Sequence, residues 1–576
     1  MLHPRAKPKI TTREYDTVVV GSGAGGGIAA YVLTLRGLSV LLLEAGREYD
    51  PTAETPMFQV EADAPLNGAG TPDKPFGFYD ATVGGGYEVP GEPYTVAAGA
   101  QFRWWRARML GGRTNHWGRT TLRYGPYDFR TYSREGVGVD WPISYEDIAP
   151  YYDRVEKLVG VFGAAEGIEN SPDSPAGVLL PPPPLRAHEL WMQMVLAKRF
   201  GIRTAANHGA VLTRPLNGRQ ACLYATSCFR GCSIRANFQS TTVLLPPALA
   251  TGHLEIRTRA MVYEVPLDKR GRAAGVHYVD TSTGARHFVR SRAVVLAASA
   301  CETARILLNS RSTAFPDGIA NSSGQVGRNL TDSVLTAVAG DIPALQGLRP
   351  FNDDGAWTSH AYVPWWGHRE KAAGRLQFAT EYHITVQANR VMPAVAHFTD
   401  LPSVHRKPVF GQALRERMRN DFGSKVILNS FGGTIPNTDC RCEIDPVVKD
   451  RWGIPVLRFH WKWGAQEHDQ ARHAVATMSE MISAMGGKPS VYTQADGSVM
   501  ARGGEVIHEV GTARMGATAA DSVLNSLGYS WDIRNLYIAD GASFAGHADK
   551  HPTETIMALA WRASDHLADS FVRKEL

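Results

Sequence analysis

The sequence predicts an α/β fold that opens with a Rossmann-like dinucleotide-binding unit and carries at least one further domain. Residues 17–45, TVVVGSGAGGGIAAYVLTLRGLSVLLLEA, run from an apolar strand through a glycine-rich turn and an apolar helical stretch into a second apolar strand. The 576 residues are more than one hydrophobic core organises, so two or three domains are expected. Late in the chain, YIAD at 537–540 reads as a short strand whose carboxyl end presents Asp540 and Gly541, the edge at which open sheets of this kind bind ligands.

Each part of the first unit has a physical task. Gly21, Gly23 and Gly26 occupy the G-x-G-x-x-G positions: a tight turn, close approach of backbone to a pyrophosphate, and close packing of helix on strand. The helix amino terminus offers the phosphates free N–H groups and partial positive charge. Glu44 ends the second strand, where a carboxylate accepts hydrogen bonds from an adenosine ribose and disfavours a 2′-phosphate.

Composition narrows the function classes. With 44% apolar, 20% charged and 9% aromatic residues, the chain is an ordered globular protein. A net charge of +5 without a long Lys/Arg run points to neither nucleic acid nor an anionic membrane as partner. The opening MLHPRAKPKITTREYD has no apolar h-region, and no apolar run approaches a membrane span, so the chain alone reads as cytoplasmic. Six cysteines are too few for a disulfide framework at this length.

Three of those cysteines crowd into CLYATSCFRGC, residues 222–232, with the spacing C-x5-C-x3-C. Structural zinc takes four ligands, commonly in CxxC pairs, and Cys222, Cys228 and Cys232 supply neither. Thiolates are soft donors suited to iron–sulfur clusters, and three of them match the [3Fe-4S] type. Buried structural thiols, a disulfide, or zinc completed by a remote histidine are the other readings. Cys301, after the apolar run AVVLAASA, and the pair Cys440 and Cys442 read as structural, with a reserve role as ligands.

Three further blocks, MLGGRTNHWGRTTLRYGPYDF (109–129), HEVGTARMG (508–516) and NLYIADGASFAGHADKHPTETIMALAWRASDHL (535–567), complete the pattern. Together with the amino-terminal unit they resemble the glucose-methanol-choline (GMC) family of FAD oxidoreductases. Within it, the cysteines and the tail are most similar to the large subunits of bacterial sugar dehydrogenases acting on glucose, fructose, gluconate or glucosides. The resemblance implies a discontinuous FAD domain (14–135, 216–335 and 501–576), a connector (136–215) and a mixed-sheet substrate domain (336–500). It favours FAD over a nicotinamide cofactor and matches the three thiols to a [3Fe-4S] cluster.

The same resemblance assigns the site. The family's catalytic pair falls on His508, ahead of Gly511, Thr512 and Met515, and on His551, at the entrance of the last helix. Imidazole suits the task because an alcohol must lose its hydroxyl proton as its carbon gives up hydride, and a base titrating near neutrality does this at least cost. Pro552 and Thr553 open a helix with Ile556, Ala560, Ala563 and Leu567 on one face, and its first free N–H groups would stabilise charge on a reduced flavin. Gly111, Gly112 and Asn115 resemble the family's second FAD-contacting loop. His116 stands where some sugar oxidases of the family bond covalently to flavin, and a packed histidine is the equal alternative. Val262 falls where a family backbone group meets adenine.

The remainder says less. PPPPLR (181–186) lies in the connector, and aromatics such as Trp357, Trp365 and Trp366 recur between 336 and 500 without an assigned role. The expected function is a sugar dehydrogenase, best described as a glucoside 3-dehydrogenase, in which electrons leave through the cluster to a cytochrome c or quinone. A small subunit carrying the export signal would bring the chain to the periplasm, with membrane contact only through partners. Gluconate, glucose or fructose dehydrogenase, an O2-using oxidase of pyranose oxidase type, and a non-catalytic electron-transfer flavoprotein are the alternatives.

Overall fold

The computed structural model describes residues 9–54, 89–224, 228, 231–349, 359–366, 370, 373–388, 410–421 and 423–576. Trp357 and the side chains of Trp365 and Trp366 lie outside the described residues.

The amino-terminal apolar runs form the centre of a seven-stranded sheet. Its order is Leu254–Arg257, Val40–Leu43, Lys9–Val20, Arg286–Leu296, Gly275–Asp280 and Ala260–Glu264, with Leu536–Ile538 also paired to Arg286–Leu296. The four strands from Leu254–Arg257 to Arg286–Leu296 are parallel, and Leu536–Ile538 continues that direction. Val18, Val19, Leu41, Leu42, Val294 and Leu296 are buried, as continuous apolar runs must be when helices cover both faces. On one face the helices Ala24–Leu35 and Thr553–Val572 pack together. Gly25 lets the first helix sit on the end of the strand Leu536–Ile538, since a Cβ there would lie 1.6 Å from the Ala539 carbonyl oxygen and 3.4 Å from Ile556 of the last helix. The last helix therefore begins beside the glycine turn and runs alongside the first helix, with Gly25 near Ile556, Tyr31 on Trp561 and Arg36 paired with Asp565 and Asp569, although more than 500 residues separate them.

A second sheet, of six strands, has the order Ser490–Val491, Val334–Asp341, Lys425–Gly432, Tyr382–Ala388, Ala361–Trp366 and Ala205–Ala206. The α/β class predicted from sequence holds. The second sheet, however, is antiparallel at every described pairing, where the resemblance implied a mixed one. Its strands alternate in character, so one face is apolar and the other is free for chemistry. Val338, Ile384, Val386 and Leu428 pack with Met478, Met481 and Ile482 of the helix Ala465–Ala484. Their neighbours His383 and Phe431, directly opposite each other in register, point the other way, towards the start of the last helix. A third sheet of Arg441–Lys449, Pro455–His460 and Thr95–Val96 completes the strands. Among the described residues no helix is long and apolar enough to cross a membrane.

The helix Tyr145–Val159 packs on the last helix and buries charge between them. Arg123 holds both oxygens of Glu156, at 2.8 and 2.6 Å, and Glu554 sits against Glu156 with its carboxyl pushed well up by burial and by that neighbour. Two buried carboxyls beside one guanidinium share the charge of one, so Glu554 is held protonated.

Candidate active site

The glycine turn and Glu44 form one end of the site. The Gly21 N–H donates to the Leu43 carbonyl at 2.8 Å and locks the turn between the two strands. Glu44, 6% exposed, accepts from Ser22 N–H and Oγ–H on one oxygen and from Gly46 N–H on the other. Burial raises its carboxyl towards the neutral form, and those donors oppose the shift. The Ser22 hydroxyl also receives the Gly111 N–H at 2.8 Å, which ties the second predicted loop to the first. Gly23 faces open space, and a Cβ built on Gly112 would lie 3.6 Å from the Gly23 Cα. Gly23 and Gly112 thus border a side-chain-free gap between a helix amino terminus and a buried carboxylate. That is the cradle an FAD diphosphate and ribose require, so the residues fit the cofactor.

The other predicted cofactor residues divide between lining and support. The Glu44 carbonyl accepts the Ala260 N–H at 2.8 Å, which brings the strand carrying Val262 beside the ribose carboxylate. Asn115 is buried and donates to the Leu110 carbonyl at 2.9 Å, fixing its own loop. His116 is buried, and burial followed by Arg119 and Arg113 pushes its imidazole down to about 3, so it is neutral. Asp540 spends its carboxylate on Ala542 N–H, Ser299 N–H and Thr303 Oγ–H at 2.9, 3.0 and 2.6 Å, which pins two strand ends together. The Gly541 carbonyl accepts the Gly511 N–H at 2.9 Å and links that turn to the His508 block.

His508 and His551 come together from segments 43 positions apart, their rings edge to face with centroids 4.9 Å apart. Both are half-buried. His551 directly precedes Pro552 and the helix from Thr553, as the sequence predicts. Phe431 packs on both rings, at 4.7 Å from His551 and 5.9 Å from His508. Burial drives both imidazoles well below their usual range. The next cause at His508 is His551, and at His551 it is His383. Both are therefore neutral at neutral pH, and both are weaker bases than the imidazole titrating near neutrality that the sequence suggested.

Residues that sequence reasoning missed surround this pair. Ser333 Oγ lies 2.9 Å from His508 Nδ1 and 3.0 Å from His547 Nε2, and His547 Nδ1 lies 3.0 Å from the Tyr124 hydroxyl. His383 pairs with Asp549 at 3.5 Å, and Lys550 joins Asp549 and Asp128 at 2.8 and 2.9 Å. Asp332 accepts N–H groups of Ser333, Gly504 and His508 at 2.9, 2.8 and 3.0 Å, which anchors the His508 loop to the second sheet. Its carboxyl rises to about 7, through burial and then Glu509. The run HADKH, with histidines bracketing an Asp–Lys pair, was the one visible signal; His383 and Ser333 had none.

The cysteines occupy a separate region. Cys228 and Cys232 are buried, and Cys228 shares a small apolar cluster with Cys222, Phe162, Val211 and Tyr224. Backbone N–H groups of Tyr224 and Ala236 donate to the sulfurs of Cys222 and Cys232, each at 3.3 Å. The buried Arg119 donates to the Cys228 carbonyl. Burial raises the Cys232 thiol towards its neutral form, and the N–H groups of Asn237 and Ala236 and the Arg119 cation oppose that shift. Among the described residues no group of three or more His, Cys, Asp or Glu is arranged to hold a metal ion. Residues 225–227 and 229–230 of the segment lie outside the described residues. Cys301, Cys440 and Cys442 are buried in the main core, and all six cysteines are free thiols.

Comparison with known proteins places the chain in a family. The family described as GMC oxidoreductase matches residues 15–335 with its amino-terminal part and 436–560 with its carboxy-terminal part. The 2-methyl-1,2-propanediol dehydrogenase of Mycolicibacterium austroafricanum is 32% identical over 96% of this chain and 95% of its own. The fructose dehydrogenase large subunit of Gluconobacter japonicus is 26% identical over 96% and 98%. Pyridoxine 4-oxidase from Mesorbium loti superposes with a TM-score of 0.60 over 96% of this chain and 99% of that one, and at 16% identity this shows the fold alone.

Proposed function

Because the chain belongs to the GMC oxidoreductase family and oxidises an alcohol or sugar hydroxyl, we propose that it is an FAD-dependent sugar dehydrogenase acting on a secondary hydroxyl, C3 of a D-glucoside in the first instance. The observation that carries this reading is the neutral His508–His551 pair, edge to face with each other and packed on Phe431 at the mouth of the last helix. Gly21, Gly23, Gly26, Glu44, Gly111, Gly112 and Asn115 would hold FAD, which when bound accepts the hydride leaving the carbinol carbon. His508 takes the hydroxyl proton at Nε2, the nitrogen not engaged by Ser333. His551 orients the hydroxyl and stabilises the negative charge that develops on its oxygen. Phe431 supplies an apolar face of the kind on which sugar C–H groups pack.

Anaerobic mixing of the flavin-loaded protein with glucosides, glucose, gluconate and fructose tests this: a glucoside is expected to bleach the flavin and yield the 3-keto sugar. The propanediol-oxidising relative favours a second reading, a small 1,2-diol. Bleaching by 2-methyl-1,2-propanediol with none by any sugar would replace the first reading by the second. Peroxide formed stoichiometrically under air would make the enzyme an oxidase.

The exit of electrons is part of the same proposal. Cys222, Cys228 and Cys232 would hold a [3Fe-4S] cluster, which would supply one-electron chemistry towards a cytochrome c or quinone. A small subunit bearing the export signal and a periplasmic location complete the reading. Cys228→Ala is expected to retain flavin, lose iron, and lose the electron paramagnetic resonance signal of the oxidised protein. Anaerobically prepared wild-type protein without iron would remove the cluster from the proposal and leave the alcohol chemistry standing.

A further inference from the structure

The hydrogen-bonded row His508–Ser333–His547–Tyr124 leads away from the site, and nothing in the chemistry above uses its last three members. Ser333 Oγ bridges two histidine nitrogens, and a hydroxyl can donate to only one of them. Two arrangements exist. In one, His508 Nδ1–H donates to Ser333, Ser333 donates to His547 Nε2, and His547 Nδ1–H donates to Tyr124. His508 Nε2 then has a free lone pair. In the other every bond is reversed, and His508 Nε2 carries the proton and cannot act as a base.

Where the row ends is also informative. His547 lines a cleft together with Asp128, Arg134, Glu135, Glu381 and Asp549. Neither His508 nor His551 lines it. The charged groups around the two ends differ. A cation on His508 faces His551, His547, Arg113 and His383, each of which disfavours it, whereas at His547 the charged neighbour is Asp549, which favours it. Burial holds His547 down to about 4 and pushes His508 well below its usual range. The ring centroids of the two histidines are 6.3 Å apart.

We infer that Ser333 and His547 form a proton relay behind His508, which sets its tautomer and, when the substrate's hydroxyl proton arrives, passes a proton on to His547. The step balances. The alcohol proton arrives at His508 Nε2 while Nδ1–H passes to Ser333, and the Ser333 proton passes to His547 Nε2, whose Nδ1–H stays in place. His508 and Ser333 end neutral with their bonds reversed, and His547 becomes the imidazolium, its two N–H groups held by Ser333 and Tyr124 and its charge favoured by Asp549. Ser333 and His547 are positioning residues, since they act through His508. The inference rests on His508 being the base of the proposed oxidation.

The test uses flavin-loaded protein with 15N-labelled histidine. The resting wild type is expected to show His508 protonated at Nδ1 and His547 unprotonated at Nε2, and Ser333→Ala is expected to abolish the His508 preference. In stopped-flow reduction Ser333→Ala should slow the flavin step by about 10- to 100-fold, change its solvent deuterium isotope effect, and leave KM for the sugar within about twofold. Ser333→Thr keeps the hydroxyl and should return the isotope effect to the wild-type value. A resting His508 with its proton on Nε2 overturns the relay, and so does a Ser333→Ala enzyme with wild-type rate and isotope effect. If no alcohol reduces the wild-type flavin, the functional reading fails, and the tautomer measurement still decides the relay.

Discussion

Replacing His508 by alanine is expected to lower the rate constant for flavin reduction by its alcohol substrate by at least about two orders of magnitude, with flavin still bound. Bound cofactor is expected because the loops that cradle it, Gly21–Gly26 and Gly111–Asn115, are held by Leu43, Ser22 and Leu110. The loss falls on the rate constant because the imidazole acts on a proton that moves only as the reaction proceeds. The pH dependence follows from the same burial. His508 must be unprotonated to act, and burial and then His551 lower its affinity for a proton. The acid limb of the reduction rate therefore lies well below pH 6.5, and the rate is flat through neutrality, falling only as acid protonates the base. Added imidazole should restore part of the His508→Ala rate. A variant reduced as fast as wild type, or a wild-type rate that falls steeply from pH 8 to 6.5, would remove His508 from the chemistry.

What could be read from the sequence was what one segment encodes alone. The glycine turn, Glu44, and the Pro552–Thr553 helix entrance are local patterns, and each is where it was expected. His508 and His551 were legible because each sits inside its own block, although their contact is made by the fold. The residues between them were not legible. Ser333 directly precedes one antiparallel strand and His383 is the second residue of another. What gives them a role is register, His383 opposite Phe431, and that depends on pairing across many residues. Asp540 illustrates the reverse: its position at a strand end suggested a ligand contact, yet its carboxylate is spent on Ala542, Ser299 and Thr303. The all-antiparallel second sheet escaped prediction for a related reason, since alternation gives a strand its faces but not its direction.

Gly26→Ala is expected to give protein that neither folds normally nor holds FAD, whereas Gly23→Ala folds with near wild-type stability and fails only to bind the cofactor. The two glycines lie three positions apart in one turn, and their surroundings are opposite. A Cβ on Gly26 would lie 1.9 Å from the Gly21 carbonyl oxygen and 2.9 Å from its carbon, both backbone atoms that no rotamer change can move. Relief requires the helix Ala24–Leu35 to lift off the turn, and its contact with the last helix opposes this. Overpacking of this kind costs about 3 kcal/mol or more, and alanine's better helix propensity returns only about 1 kcal/mol. A Cβ on Gly23 meets nothing within 4 Å, so the folded protein has no use for the missing side chain. The space is kept for a ligand, and a methyl group there meets the incoming diphosphate. Thermal unfolding and the flavin absorbance of the purified variants separate the two cases. A yellow, stable Gly26→Ala protein would mean that the turn yields where the geometry says it cannot. A yellow Gly23→Ala protein would mean that the gap beside Gly112 is not where the diphosphate lies.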